Sequence, residues 1–170
     1  MDIGNLKEFL KLLRYGVSEN AEEVVIDDTE DGPVLVCTAK SPFIEDSVLE
    51  YEISLMPDDN GTIFTEISIA MFTGIDNASF DGLDRLFNMF NDLFSFRPGS
   101  YKLIDESGTV MFTQGFLLNE TVPEKTAISM IGKTMKVMED IVYTTGGYIL
   151  KHLSGASPED IMKELCKAEG

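Results

Sequence analysis

The sequence predicts an α+β fold, an antiparallel sheet covered by segregated helices in the order α-β-β-β-β-α-β-β-α-α. Three observations predict it. Residues 48–56 alternate cleanly, with Leu49, Tyr51, Ile53 and Leu55 on one face and Glu50, Glu52 and Ser54 on the other. From Asn77 the period becomes helical and runs into a tight hairpin. A long amphipathic segment follows Thr121, with Ile128, Ile131, Met135, Met138 and Val142 on one face.

The elements follow in order. A first helix is expected over 2–15, where Ile3, Leu6, Leu10 and Leu13 recur at helical spacing and Phe9 and Leu12 widen the stripe. Lys11 and Arg14 suit its C-terminal dipole, and Gly16 suits the position after its end. Two short strands, 24–26 and 34–37, flank the polar turn 27–32. The strand 48–56 turns at Asp58-Asp59-Asn60-Gly61 into a return strand over 62–72, because Asn-Gly tolerates positive φ.

The helix expected over 77–97 carries one stripe of Phe80, Leu83, Phe87, Phe90 and Phe94. A second stripe of Leu86, Met89, Leu93 and Phe96 lies beside it. Together they are broader than one sheet face needs. Pro98-Gly99 ends this helix. The hairpin 101–104/109–118 turns at Asp105-Glu106-Ser107-Gly108. Thr121-Val122-Pro123-Glu124 fits a capping box with proline in the first turn. Gly146-Gly147 interrupts the long helix and implies a kink, a close crossing or an end, since each glycine costs about 1 kcal/mol against alanine. Ser157-Pro158-Glu159-Asp160 caps a last short helix. A single domain over 1–153 with a helical appendage over 154–170 is expected.

Composition bounds the function. The chain has 170 residues and 44% apolar content with 11 Phe, enough for a real core. Thirty acidic and 13 basic residues give a net charge of −17. That field repels nucleic-acid backbones and anionic membranes, and it attracts cationic partners. Cys37 and Cys166 imply neither a disulfide framework nor a metal spacing. The start, Met1-Asp2-Ile3-Gly4-Asn5, does not read as a signal peptide. No segment reaches the roughly 18 apolar residues of a membrane span. A cytoplasmic location is the expectation, and the sequons at Asn60, Asn77 and Asn119 then read as accidental.

The run Leu83-Asp-Arg-Leu-Phe-Asn88-Met-Phe-Asn91, then Gly99-Ser-Tyr-Lys-Leu103-Ile-Asp-Glu-Ser-Gly108-Thr-Val110, resembles the YbjN-like family. That family's fold is related to the type III secretion chaperones. The helix after Thr121 and the Ser157-Pro158-Glu159 tail fit it too. The resemblance is clearest over about half the chain, while the N-terminal helix and strands agree only in order. Secretion chaperones have three strands before the second helix, and four are read here. The resemblance implies a fold, frequent dimerisation and polypeptide binding. It implies no catalytic residue.

Catalytic and metal chemistry find little support. Asp27, Thr29, Asp31 and Gly32 imitate the opening of a calcium loop, but its twelfth position is Thr38 and a strand follows instead of a helix. A solvated turn is the expectation, with no metal and no cofactor. His152 is the only histidine and reads as a surface or helix-end residue. Neither cysteine has a base beside it, so no nucleophile–base pair can be named.

Two readings of the Phe stripe stay open, core packing and a homodimer interface. Met130, Met135 and Met138 either fill the core or line an adaptable surface. The candidate interface residues are Phe87, Phe90, Phe94, Leu6, Leu10, Met135 and Met138. The expected function is a non-enzymatic, chaperone-like protein that binds a basic or amphipathic polypeptide as a homodimer. The alternative is an acidic immunity or antagonist protein blocking one folded partner by charge.

Overall fold

The computed structural model describes residues 5–14, 23–30, 32–95, 99–104 and 106–168. Its elements are α1 (Leu6–Arg14), β1 (Glu23–Thr29), β2 (Gly32–Lys40), β3 (Val48–Pro57), β4 (Thr62–Phe72), α2 (Phe80–Leu93), β5 (Ser100–Ile104), β6 (Thr109–Asn119), α3 (Glu124–Leu153) and α4 (Pro158–Ala168). The α+β class and the element order agree with the sequence. Six strands form one sheet in the order β1-β2-β3-β4-β6-β5, antiparallel at every neighbour.

Alternation sorts the sheet into two faces. Leu35, Cys37, Tyr51, Ile53, Ile67, Ile69, Val110 and Phe112 point to the side that α1, α2 and α3 cover, and all are buried. The other side carries Glu50, Glu52, Glu66, Met56, Phe64 and Leu117. On that side Phe64 lies over Gly115 of the neighbouring strand, where an added Cβ would stand 2.7 Å from the ring. The aromatic ring thus shields a strand glycine that has no side chain to pack. A bulge between Ala70 and Phe72 reverses the alternation and turns Phe72 inward.

The turns are local chemistry. Asp58 accepts hydrogen bonds from the backbone N–H of Asn60 (2.9 Å) and Thr62 (2.8 Å), and Gly61 takes φ +77°. Those N–H donors hold the Asp58 carboxyl below its ordinary range. At the other hairpin Gly108 sits under Ile75, whose N–H donates to the Gly108 carbonyl (3.1 Å). The hairpin tip is thereby tied to the segment before α2. Edge strand β5 is closed by α2. The Tyr101 N–H donates to Asn91 Oδ1 (2.8 Å), and the Asn91 amide donates back to the Tyr101 carbonyl (3.4 Å). One side chain thus occupies backbone groups that another strand could have paired.

Several boundaries differ from expectation. Asp2, Tyr15 and Gly16 lie outside the described residues, as do Phe96, Arg97, Pro98, Asp31 and Asp105. Residues Asn77–Ser79 form a 3₁₀ turn before α2, and α2 ends at Leu93 with the Phe94 N–H bonded to the Phe90 carbonyl. The capping box does not form. Asn119 closes a turn by accepting from the Thr121 and Val122 N–H groups, which leaves Pro123 as the N-cap of α3. Its carbonyl accepts from Thr126 and Ala127. Nor does Gly146-Gly147 end α3, which is helical through both.

The described part of the C-terminal segment, through α4, is packed on the rest of the chain. Ile161 and Leu165 of α4 enter the common core, and α4 packs on α2 and α3. Ser157 caps α4 by accepting from the Asp160 N–H (3.2 Å), as the sequence implied. His152 is a structural joint and not a plain surface residue. Its Nδ1–H donates to the Ala156 carbonyl (2.8 Å), and its ring covers Gly82 of α2, where a Cβ would stand 2.4 Å from Nε2.

Candidate functional site

All seven residues expected at an interface are internal. Leu6, Leu10, Phe87, Phe90, Phe94, Met135 and Met138 are between 0% and 6% exposed. Phe87 stacks on Tyr101 at 5.2 Å between ring centroids, and Phe90 packs against Tyr101 and Phe94. The α2 stripe is broad because α2 is covered by β5, α3 and α4 together. These seven side chains are held in the chain's own core, while Phe80 and Leu93 of the same stripes stay partly exposed. Leu6 and Leu10 seal α1 to the sheet, and Met135 and Met138 are core side chains of α3.

The apolar surface gathers elsewhere, around the loop 41–47 between β2 and β3. The loop is held by its own backbone. Ser41 N–H donates to the Ser47 carbonyl (2.9 Å), Phe43 N–H to Ser41 Oγ (3.2 Å), and Ser47 Oγ to the Ile44 carbonyl (2.9 Å). Asp46 takes φ +58°, the left-handed region that Asp tolerates better than most residues. This turn sends Phe43 inward and Ile44 outward. The Phe43 ring meets Phe72 at 6.0 Å and the edge of Tyr143 at 6.4 Å, and it lies on Gly146 of α3.

Two grooves flank the loop. The first, about 420 Å³, runs between Pro42 and Phe43 on the loop and Tyr143, Gly147, Tyr148 and Lys151 on α3. The second, about 440 Å³, is walled by Ile44, Val48, Met71, Phe72, Leu150 and Leu153. Ile44 is 42% exposed, Val48 48% and Tyr143 44%, so the crest between the grooves and one groove wall are all apolar and open. Glu45, Asp46 and Glu50 follow along the same crest. The surface can hold an apolar side chain on either side of the loop and a positive charge near its tip.

Behind the first groove lies a polar cluster. Cys37 and Tyr51 are register partners on β2 and β3, facing Glu139 and Tyr143 of α3. Burial, then the Glu139 charge, pushes the Cys37 thiol up to about 11, which keeps it a protonated and poor nucleophile. The buried Tyr51 hydroxyl has no partner in hydrogen-bond geometry. Burial raises its pKa first, and the Glu139 charge raises it further. Glu139 is half-buried, and desolvation raises its carboxyl above the ordinary value of 4.5 although Tyr51 and Lys136 oppose the shift.

A raised carboxyl pKa makes the folded state bind more protons than the unfolded one between the two pKa values. The Glu139 contribution therefore favours folding below the unfolded value of 4.5 and is lost as pH rises through the folded value. Glu139→Gln is expected to be more stable than the parent at neutral pH and to lose that advantage in acid. Urea unfolding of both proteins across this pH range checks it, and equal stability differences at every pH would contradict it.

The segment likened to a calcium loop is a strand turn. Thr29 pairs with Gly32 across the hairpin, Thr29 Oγ1 donates to the Gly32 carbonyl (2.7 Å), and Asp28 pairs with Lys7 of α1 (2.5 Å). Among the described residues no helix is long and apolar enough to cross a membrane. The loop 41–47 was missed by the sequence reading. Its one signal was the apolar pair Phe43-Ile44 between Ser-Pro and Glu-Asp, where a simple connection would be polar throughout. No protein-family model and no curated protein matches the chain.

Proposed function

We propose that this chain is a non-enzymatic, chaperone-like protein that holds a cationic, amphipathic polypeptide segment at the loop 41–47 and its two grooves. One observation carries the reading. Apolar grooves lie on both sides of a backbone-braced loop whose tip is acidic. Grooves of this kind accept alternate apolar side chains of a bound segment, while the charges select its sign. The net charge of −17 supports a basic partner. The α+β class supports the resemblance to the YbjN-like family, while the four strands before α2 are one more than secretion chaperones have. A cytoplasmic setting goes with the same reading.

A peptide array at low and high salt tests it. Basic amphipathic peptides are expected to bind best. The charge contribution should fade as screening shortens to about 3 Å at 1 M salt, and the apolar contribution should survive. Ile44→Asp, a change on the exposed crest, should weaken binding at both salt concentrations while leaving the fold intact. Equal binding of basic, acidic and scrambled polar peptides would sink the proposal and favour an antagonist of one folded target.

A further inference from the structure

We infer that the uncovered face of the sheet is a second docking surface, which takes a basic side chain of a partner polypeptide between Glu52 and Glu66 and an apolar one on Met56, Phe64 and Leu117. This surface goes beyond the loop 41–47 and does not depend on binding there. Met56 and Val48 stand at opposite ends of β3, roughly 26 Å apart along an extended strand.

The register lays this face out in rows. One row crosses β3, β4 and β6 as Met56, Phe64 and Leu117. The next sets Asp27, Val34, Ser54 and Glu66 side by side, and the row after it holds Val36, Glu52 and Ser68. An outward sheet face is ordinarily polar. Here Leu117 is 66% exposed and Phe64 38%, on neighbouring strands. A groove of about 340 Å³ opens beside that apolar row, lined by Pro33, Val34, Ser54 and Met56 together with Glu52 and Glu66. Among the described residues, those two glutamates are its only charged lining.

Charge decides the occupant. Glu52 and Glu66 are half-buried diagonal neighbours on adjacent strands, with backbones about 7–8 Å apart. Neither is paired with a lysine or arginine among the described residues. Ser54 Oγ donates to Glu52 Oε1 (2.8 Å), a bond that neutralises neither charge. Two like charges this close, part way out of water, repel each other. A cation set between them answers both at once, and an anion would meet two groups of its own sign. Asp27 stands beside Val34 and adds to the same field. The lysines of this face lie away from the groove, Lys102 on the edge strand β5 and Lys40 beside Val48 at the far end of β3.

The apolar row sets the other half of the partner. An extended segment lying along the strands places alternate side chains about 7 Å apart, which is also the spacing between rows. An apolar residue on Leu117 and Phe64 therefore brings a basic residue two positions away to the groove. A second copy of the chain is a poorer occupant, because face-to-face contact would bring one acidic face against another.

The test uses the full chain and a short peptide in which leucine and lysine alternate with serine. Versions carry glutamine in place of lysine, or serine in place of leucine. Affinities are read by fluorescence anisotropy in the parent and in the Ile44→Asp chain, where the loop site is weakened. In both, the lysine peptide is expected to bind about tenfold tighter than the glutamine peptide. Glu52→Gln with Glu66→Gln should remove most of that preference, whereas Glu106→Gln with Glu124→Gln, the same change of net charge elsewhere, should not. Leu117→Ser should weaken the leucine peptides alone, and circular dichroism checks that each variant keeps its fold. A benzophenone in place of the leucine reads the surface without any substitution and should label Met56 or Leu117 of the parent. Labelling confined to the loop 41–47, or a lysine preference that survives the Glu52 and Glu66 substitutions, would remove the sheet-face seat and leave the loop reading in place. A dimer in light scattering that Leu117→Ser dissolves would overturn it in favour of a second copy. No binding by any peptide of the series would overturn both surfaces.

Discussion

Phe90→Ala is expected to cost about 3–5 kcal/mol of folding stability, by the same amount at every protein concentration. Phe90 is fully buried at the meeting of α2 with β5, and its ring contacts Tyr101 at 5.6 Å and Phe94 at 6.5 Å. Tyr101 in turn packs on Phe112 at 4.8 Å and reaches α3 through a hydrogen bond with the Thr145 hydroxyl. Thr145 donates its own proton to the Ile141 carbonyl (2.7 Å), so the Tyr101 hydroxyl is the donor in that pair. Removing the ring leaves a cavity walled by other aromatic rings and by a buried polar link, a site with little freedom to collapse. Urea unfolding at several protein concentrations measures the loss. If part of the Phe stripe joined two subunits, the midpoint would rise with concentration in the parent and less so in the variant.

How much of this could be read beforehand depended on the range of the interactions. The strands β3 and β4 were legible because their period of two is local, with Leu49 to Leu55 and Ile63 to Ile69 alternating over many residues. The Ser157 cap was legible for the same reason. The width of the Phe stripe was legible too, but spacing left open whether the chain's own elements or a second subunit cover it. A stripe records how much of a helix is covered, not by what, and α2 is covered by three elements of its own chain. The capping box failed because Asn119 competed for the Thr121 N–H, a choice between two local motifs that spacing alone does not decide.

The site itself depended on contacts between residues far apart in sequence. Phe43 is apolar because it docks on α3, and Gly146 is a glycine because Phe43 lies on it. Neither residue carries that message alone. His152 and Gly82 form a second such pair, joining the end of α3 to α2. In both cases a ring rests directly on a helix backbone, and the sequence shows only a glycine in a helical run. The residues around the loop that do face solvent, Ile44 and Val48, belong to no periodic stripe that would have drawn notice.

The neighbouring glycines of α3 should respond in opposite directions. Gly146→Leu is expected to destabilise the protein by about 1–3 kcal/mol, the range for overfilling a packed site. The new side chain must displace the Phe43 ring, which Phe72 and Tyr143 hold from two other sides. Evicting that ring would also release the loop 41–47 from α3, so peptide binding at the loop should weaken along with stability. Gly147→Ala is expected to stabilise by up to about 1 kcal/mol, because alanine is the better helix former and its methyl group meets only open space. Thermal or urea unfolding of the two variants beside the parent decides the matter. A stabilising Gly146→Leu would mean that Phe43 is not seated on the helix, and both grooves flanking the loop would lose their shared wall. A destabilising Gly147→Ala would mean that this face of α3 is covered by something within the chain, and the groove above it would not be open to a partner.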